Sequence, residues 1–547
     1  MSRPLLSDRI RLLLIISLVY LVAWFTHYSK IPAGQYPIDE VRATLDTARA
    51  LAEGLFDSQS NAEGYSLYTY ILSILARFFD TETGLVAAAR GLNALALMSA
   101  IALGASAARR YWQSKRAAWI AGLLIGLNPV LIFWAGEVSP ALLATAALSL
   151  ALAYLLRWLR NARTRYSFFI STGLAAASAL QTSLLPLALL WPALAFFYPL
   201  HQRLQHLYLS LLPIALFTGI YFASNLTLHP PWQWSTENLG AGAYSALASP
   251  ELFESKNFAF YRQLHPLLLL NPIHWGLLFI LASAGFYAHF RQRETSPSLY
   301  ISVAILFIFA LSFASNEGGS QSRATMIPLL AILAAGSYQM PKIWRRAKRP
   351  RRRLILTAGL LLAGFSYAPY FYGDSSQSWE RDYAHMARAH LEFGQNEHAI
   401  NWAEKTLKLN PERADMHAIL VIAEFNHWAL DSVPRSLSAE SARALLESSK
   451  SAQSDSTIRT IQAIYQHKLR DSKQAFATWQ AERQHNPLAL LCLYWTGQAS
   501  RAEVSDLSAF AGHRYFELLQ SAVQVDRNAL AYGDLESLID NLLAFAY

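Results

Sequence analysis

The stretch VAAARGLNALALMSAIALGASA, residues 86–107, contains one charged residue, Arg90, among 22 positions. A helix of about 20 mostly apolar residues is long enough to cross the hydrocarbon core of a bilayer. The rest of the chain has a similar character, because 53% of its 547 residues are hydrophobic. Only 15% are charged, against about 25% in typical soluble proteins. The composition therefore predicts an integral membrane protein.

Comparable apolar stretches recur along the first 372 residues, and we predict about eleven spanning helices from their length. Their approximate limits are 10–27, 86–107, 117–135, 139–157, 167–182, 184–199, 205–223, 272–290, 298–315, 324–340 and 354–372. Residues 167–199 could instead form a single kinked span. The alternative is two short spans broken near Gln181 to Ser183.

The basic loops decide between these alternatives. Lys and Arg are concentrated in three inter-span loops, at 108–116, 157–165 and 341–353. With eleven spans all three loops lie on the side of the N-terminus, which the positive-inside rule makes cytoplasmic. A single span at 167–199 would move the third loop to the opposite face, so we predict two. The segments then placed outside the cytoplasm are 28–85, 224–271, 316–323 and 373–547.

Charge divides the chain into two parts. Residues 1–372 hold 30 Lys and Arg against 15 Asp and Glu, whereas residues 373–547 hold 16 against 22. The positive charge lies between apolar runs, so topology explains it and nucleic-acid binding is not expected. We predict a membrane domain at 1–372 and a soluble domain at 373–547. The single cysteine, Cys492, excludes an intramolecular disulfide and a cysteine-based metal site.

The soluble tail has the pattern of successive helices. Residues 383–411 fit a tetratricopeptide unit, with small residues where two antiparallel helices approach and Asn410-Pro411 at the end of the second helix. A second unit covers 463–487, and a degenerate unit fits around 414–447. The alternative is a generic helical hairpin domain. We predict an α-solenoid outside the cytoplasm that binds a peptide or protein partner.

The first external loop opens with an acidic pair, Asp39-Glu40, followed by an amphipathic stretch at 41–55 and a second at 65–79. Acidic residues are common at the first turn of a helix, where they stabilise the helix dipole. A carboxylate held near an apolar surface can alternatively have a raised pKa and accept a proton from an acceptor hydroxyl. The residues alone leave both interpretations open.

The first span, the loop with Asp39-Glu40, the second amphipathic stretch and the motif ARGLNAL at 89–95 together form one pattern. It resembles the GT-C glycosyltransferases, in the branch of the protein O-mannosyltransferases and the aminoarabinose transferases of lipid A. Residues 118–129 and 322–328 are similar to later spans of that family. The resemblance covers about residues 8–340.

The resemblance implies an all-α, polytopic membrane helix bundle that transfers a sugar from a polyprenyl-phosphate carrier to an acceptor outside the cytoplasm. It implies Asp39 as catalytic base, Glu40 as a secondary acid, and no required metal or other cofactor. Arg90 and Arg323 lie at external ends of predicted spans and are candidates to bind the carrier phosphate. The alternative is that they extend to the lipid headgroups.

Two further residues are candidates for substrate binding. Glu137 falls where relatives place a polar functional residue, although a loop acid at the surface is the more ordinary interpretation. Tyr244 lies in an aromatic and Gly-rich loop similar to the family's late external loop, or it anchors that loop at the membrane interface. Residues 64–68, GYSLY, depart from the Pro-Pro-Leu-Tyr-like pattern of many relatives, which affects the acceptor side.

These observations together predict a glycosyltransferase whose acceptor is a protein or an envelope glycan. In a bacterium it would lie in the inner membrane with a periplasmic tail, and in a eukaryote in the endoplasmic reticulum with a lumenal tail. One alternative is a non-catalytic scaffold that presents the repeats to an envelope assembly. Another is an O-antigen ligase or polymerase, which the short loop 316–323 disfavours.

Overall fold

The structure is a computed structural model in which the described residues form helices, turns and short loops. It describes residues 8–28, 39–54, 66–161, 163–181, 184–193, 200–224, 258–264, 266–271, 273–291, 323–372, 379–430, 439–451 and 455–500, and residues 503, 510, 513, 515 and 516. The chain forms two compact units, Met1–Asp374 and Ser375–Tyr547. The predicted boundary at 372/373 lies two residues earlier.

The described residues of the first unit are mostly helical. Its described α-helices are α1 (Asp8–Tyr28), α2 (Asp39–Ala52), α3 (Leu67–Ala76), α4 (Glu82–Tyr111), α5 (Lys115–Gly126), α6 (Pro129–Ala135), α7 (Ala141–Asn161), α8 (Arg165–Leu180), α9 (Leu185–Ala193), α10 (Leu200–Ser224), α11 (Phe258–Gln263), α12 (Pro266–Leu269), α13 (Trp275–Arg291), α14 (Ile327–Ala334), α15 (Met340–Arg346) and α16 (Arg349–Tyr372). A 3-10 helix, Ala335–Gln339, joins α14 to α15.

Two helices in the described part of the chain, α4 and α7, are long and apolar enough to cross a membrane. The bent pair α5 and α6 adds a third if it is one span. The count of eleven spans stays a prediction, and the predicted span at 298–315 lies outside the described residues. The break predicted near Gln181 is present, since α8 ends at Leu180 and α9 begins at Leu185.

The predicted span at 117–135 is interrupted, because α5 and α6 meet at an angle of 51°. The Asn128 side chain accepts a hydrogen bond from the Val130 backbone N–H at 3.0 Å and so caps α6. Pro129 occupies the first turn of α6, where its missing N–H costs nothing. Local capping therefore starts a second helix inside the apolar stretch, and whether α5 and α6 together form the predicted span stays a prediction.

The predicted span at 324–340 is also divided, into α14 and the 3-10 helix. A Cβ atom at Gly336 would overlap the ring of Trp112, the residue that follows α4. The Trp112 indole N–H donates to the Ile332 carbonyl oxygen at 2.7 Å. This close approach of two chain segments fixes the turn after α14.

Small residues allow other helices of the first unit to pack closely. Gly285 of α13 lies against the backbone of Leu333 in α14, and Gly173 of α8 lies against the backbone of α7 at Ala147 and Ala151. Small residues at helix interfaces are typical of membrane bundles, where close van der Waals packing stabilises association.

An apolar cluster joins α2, α3 and α4 to the segment before α7. Its buried members are Leu45, Ala48, Tyr68, Leu72, Leu85, Val86, Ala89 and Val138. The two amphipathic stretches predicted in the first external loop are therefore helices whose apolar faces pack on the start of α4. This cluster positions the candidate site.

The second unit consists of helices in sequence. Those described are α17 (Glu380–Glu392), α18 (Asn396–Leu409), α19 (Ala414–Leu430), α20 (Ala439–Ser448), α21 (Ser456–Lys468), α22 (Ser472–Glu482) and α23 (Pro487–Trp495). Consecutive helices pack as antiparallel neighbours, with α17 against α18 and α21 against α22. Gly394, between α17 and α18, has φ +67°, a conformation that glycine adopts readily at a helix end.

The helical content of the tail agrees with the predicted α-solenoid. Pro487 begins α23 in the first helical turn, and the Asn486 side chain caps that helix by accepting from the Leu488 N–H at 2.9 Å. The assignment of these helices to tetratricopeptide repeats stays a prediction.

Candidate active site

Two side chains near the start of α4 hold the segment between α6 and α7. The Arg90 Nε–H donates to the Gly136 carbonyl oxygen at 2.7 Å, and the Asn93 amide donates to the Glu137 carbonyl oxygen at 2.7 Å. Residues three apart lie on one face of a helix, so Arg90 and Asn93 bind neighbouring peptide groups. This anchors Glu137 beside α4.

Glu137 lies inside the protein and has only 6% of its surface exposed. The Tyr28 hydroxyl, at the end of α1, donates to its carboxyl oxygen Oε1. The interpretation of Glu137 as a loop acid at the surface is therefore wrong. Three chain segments distant in sequence, those of Tyr28, Arg90 and Glu137, meet in one buried polar cluster.

Aromatic rings surround this cluster. Trp24 stacks on Tyr28 with 4.5 Å between ring centres, and the Arg90 guanidinium carbon lies 5.9 Å from the centre of the Tyr28 ring. A cation at this distance from an aromatic face is attracted to the ring. Tyr28 therefore links the cation and the carboxyl group of the site.

The second amphipathic helix reaches the same cluster through Tyr68. Burial raises the pKa of the Tyr68 hydroxyl, while the Asn93 side chain and the Ser139 backbone lower it. The helix starts at Ser66, whose hydroxyl accepts from the Thr69 N–H at 3.2 Å. A serine cap thus begins α3 within residues 64–68, where the resemblance implies a Pro-Pro-Leu-Tyr-like pattern.

Asp39 and Glu40 form the first turn of α2, and their side chains lie outside the described residues. The helix itself packs on α3, and its buried residues Leu45 and Ala48 belong to the apolar cluster that also includes Ala89 of α4. Ala89 directly precedes Arg90. The middle of α2 thus shares an apolar cluster with the helix that carries Arg90, and the role of Asp39 as a base stays a prediction.

Arg323 precedes α14 and lies in a different place from the Arg90 cluster. It has 1% of its surface exposed, and its guanidinium carbon is 5.3 Å from the ring centre of Trp275 in α13. A side chain that extended to lipid headgroups would be exposed on the protein, so that alternative does not describe Arg323. Tyr244 lies outside the described residues.

The described side chains include no group of three or more His, Cys, Asp or Glu that could bind a metal ion. What the cluster offers is a guanidinium, a carboxyl, a phenol hydroxyl and a carboxamide. Guanidinium groups bind phosphate oxygens with good geometry. Arg90 supplies the positive charge of this cluster, which lies near one end of the long helix α4.

Tyr28, Tyr68 and Asn93 were not among the predicted site residues. Asn93 carried a usable signal, because it is a polar residue within the apolar stretch 86–107 and follows Arg90 by three positions. Tyr28 and Tyr68 carried none, since aromatic residues are ordinary at membrane interfaces.

No protein-family model matches this chain, and no curated protein matches it significantly. Some solved structures are similar. ArnT from Cupriavidus metallidurans bound to undecaprenyl phosphate has 16% identity and a TM-score of 0.40, over 75% of this chain and 73% of that chain. The apo state of the same protein has 16% identity and a TM-score of 0.39, over 76% of each chain.

A third similar structure is the Archaeoglobus fulgidus oligosaccharyltransferase tethered with an acceptor peptide containing the NVT sequon. It has 13% identity and a TM-score of 0.35, over 70% of this chain and 59% of that chain. TM-scores of this size do not establish a common fold, so the family of this chain is left open.

Proposed function

We propose that this chain is an integral membrane glycosyltransferase. It transfers a sugar from a polyprenyl-phosphate carrier to a hydroxyl of a protein or envelope glycan on the non-cytoplasmic face. The observation that carries this proposal is the cluster of half-buried Arg90 with buried Asn93, Tyr28 and Glu137 near one end of α4. Residues next to the cluster in sequence, Ala89 and Val138, belong to the apolar cluster that buries part of the helix beginning at Asp39.

Polar and ionisable groups within apolar membrane helices are costly, and they usually mark sites of function. Arg90 follows Glu82, the first residue of α4, by eight positions, which corresponds to about 12 Å of helix. Between Arg90 and Arg109 the helix contains no charged residue. A lipid-linked substrate has its chain in the bilayer and its phosphate near this depth, so a cation here is well placed to receive it.

The proposed chemistry needs a base and a cation. The acceptor oxygen bonds to the anomeric carbon of the sugar and gives its proton to the Asp39 carboxylate, with Glu40 as a secondary acid. The bond from the anomeric carbon to the carrier phosphate breaks, and the phosphate leaves with the electron pair. Arg90 is the cation proposed to stabilise that charge. Arg323, which lies apart from the Arg90 cluster, is kept as a second candidate for contact with the carrier phosphate.

The tail is proposed to lie in the periplasm, or in the lumen of the endoplasmic reticulum, and to recruit a protein acceptor or an assembly partner. The support is that a unit of successive helices, predicted to be an α-solenoid, follows the membrane unit in one chain. Deleting residues 378–547 tests this. The recruitment idea fails if the shortened chain glycosylates its acceptor as well as the full chain does.

The test of catalysis compares two substitutions in α2. Asp39→Asn removes the proposed base, and Asp46→Asn makes the same change at an exposed position of the same helix. Each variant is expressed in a strain that lacks the gene, and glycans on envelope proteins and lipids are profiled by mass spectrometry. We expect transfer with the wild type and Asp46→Asn, and none with Asp39→Asn.

Membrane insertion of each variant is measured in parallel. Full transfer by an inserted Asp39→Asn protein would refute the proposed base and favour the scaffold alternative. Binding of the carrier is tested separately with undecaprenyl phosphate and native mass spectrometry. Arg90→Gln should weaken this binding, whereas Arg116→Gln, at an exposed position of α5, should not.

A further inference from the structure

A basic cavity of about 500 Å³ lies in the first unit, away from the candidate active site. Arg291 at the end of α13, Tyr338 and Gln339 of the 3-10 helix, and Lys342 and Arg346 of α15 line it. A water molecule occupies about 30 Å³ in the liquid. The cavity therefore has room for a polar headgroup.

The cavity has a strong positive charge. Three of its lining residues, Arg291, Lys342 and Arg346, are cations, and none of the described residues that line it is acidic. The chain from 318 to 373 contains no Asp or Glu, while 341–353 contains eight Lys and Arg. Tyr338 and Gln339 add neutral polar groups, with the Gln339 amide donating to the Tyr338 hydroxyl at 3.2 Å. Such a site suits an anion with several acceptor oxygens.

Packing holds the walls of the cavity in place. Gly336, two residues before Tyr338, lies against the ring of Trp112. Tyr111 stacks on His289, two residues before Arg291, with 4.9 Å between ring centres. The end of α4 therefore supports both sides of the cavity.

Arg352, at the start of α16, has a different role from the cations of the cavity. Its Nε–H donates to the Ala347 carbonyl oxygen at 2.9 Å, and its Nη2 donates to the Arg345 carbonyl oxygen at 3.1 Å. These bonds tie the end of α15 to α16. Arg352 thus binds backbone carbonyl groups, whereas Arg291, Lys342 and Arg346 line the cavity.

The position along α4 shows that the cavity lies at the opposite end of the membrane unit from the candidate site. Tyr111 follows Arg90 by 21 residues in one continuous helix. This corresponds to about 32 Å, close to the thickness of a bilayer hydrocarbon core. A lipid bound here would belong to the other leaflet from the proposed substrate.

The surroundings of the cavity favour a lipid over a soluble ion. Phe290, next to Arg291, is 63% exposed, and Leu354, which follows the basic segment, is 69% exposed. Trp344 of α15 lies within reach of Arg352, at 6.0 Å from ring centre to guanidinium carbon. Exposed apolar side chains beside Trp and Arg are typical of the headgroup level of a membrane.

We propose that this cavity binds the phosphate headgroup of an anionic phospholipid in the leaflet opposite the candidate site. Arg291, Lys342 and Arg346 neutralise the phosphate, and Tyr338 and Gln339 contact its polar neighbours. The site selects an anionic headgroup over phosphatidylcholine, because the choline cation would be repelled by the three cations. This proposal does not depend on the transferase activity.

The test uses the full chain in detergent micelles doped with phosphatidylglycerol or phosphatidylcholine, with bound lipids counted by native mass spectrometry. The binding is measured in about 0.5 M salt, which screens the electrostatic attraction between lipid and protein beyond a few ångströms. The double variant Lys342→Gln/Arg346→Gln should bind phosphatidylglycerol about 30-fold more weakly than the wild type, because each cation contributes roughly a factor of five. The matched control is Arg349→Gln/Arg353→Gln. It also removes two charges at exposed positions, as the test variant does, but these residues are not among those that line the cavity.

The control variant should keep wild-type binding, and phosphatidylcholine should not be retained by any variant. Equal losses in both double variants would overturn the proposal, because the attraction would then belong to the whole basic segment. Displacement of the lipid by inorganic phosphate at equal concentration would overturn the lipid as the ligand. Lys342→Arg should restore binding with an unchanged thermal melting curve, and failure to do so in a folded protein also counts against the cavity.

Discussion

Replacing Tyr28 with phenylalanine removes the hydroxyl that donates to Glu137 and keeps the ring that stacks on Trp24. Both partners are buried in the first unit, so water does not readily replace the hydroxyl as a donor to Glu137, and losing the bond costs free energy. The substitution therefore measures how strongly the end of α1 is tied to the segment between α6 and α7. That connection holds the candidate site together.

The expected effect follows from the geometry. A hydrogen bond to a charged group contributes about 1.5 to 3 kcal/mol, which is roughly a 10- to 150-fold change in an unfolding equilibrium constant. The control is Tyr208→Phe, where the tyrosine is exposed on α10, and we expect no measurable change there. Glu137→Leu removes the acceptor, and the double variant completes a mutant cycle.

Unfolding is measured in mixed micelles with increasing dodecyl sulfate and followed by far-UV circular dichroism. Labelling of Cys492, the single cysteine, which is buried in the second unit, follows that unit separately. The coupling energy from the cycle should exceed about 0.5 kcal/mol. A smaller coupling, or equal effects of Tyr28→Phe and Tyr208→Phe, would refute the inference that this bond organises the site.

Three further predictions concern single positions. Gly285→Ala places a Cβ in the carbonyl oxygen of Leu333 and should lower the yield of folded protein, whereas Gly359→Ala, with nothing within 4 Å, should not. Burial, and secondly the charge of Glu404, raises the pKa of Glu424 from 4.5 to about 7. The wild type should therefore lose stability relative to Glu424→Gln as pH rises from about 4.5 to about 7, seen as a widening difference in melting temperature. Burial also raises the pKa of the Cys492 thiol, so maleimide should label it only after unfolding.

Each of these predictions has an opposing result. Equal yields of the two glycine variants would show that α13 and α14 do not pack as closely as described. A melting-temperature difference for Glu424→Gln that is constant across pH would show that Glu424 is solvated in the folded state. Rapid labelling of Cys492 in the native protein would show that its helix is open to solvent.

The elements that could be predicted from the sequence are those with local causes. The apolar stretch 86–107 lies within α4, since length and hydrophobicity alone specify a membrane helix. The acidic pair at 39–40 coincides with the first turn of α2, and Pro487 coincides with the first turn of α23. Helix capping and proline geometry depend on a few neighbouring residues, so these helix starts can be predicted from the sequence.

The break inside 117–135 had a local signal as well, in Asn128-Pro129. Hydrophobicity alone does not locate this break, because a continuous apolar segment predicts one span whether or not a helix cap interrupts it. The burial of Glu137 had no such signal. Its partner Tyr28 is 109 residues away, and only their approach makes a buried carboxyl group acceptable.

Hydrophobic length, charge asymmetry between loops and helix-end residues determined from the sequence that this chain combines membrane helices with a helical tail. The tertiary structure alone decided that Arg90, Tyr28 and Glu137 meet, and that Trp112 packs on Gly336 to support a basic cavity. The physical reason is the separation along the chain of the residues that interact. Helix formation depends on neighbours within a few residues, whereas pairing a buried charge requires segments far apart in the chain to pack at a distance of a few ångströms.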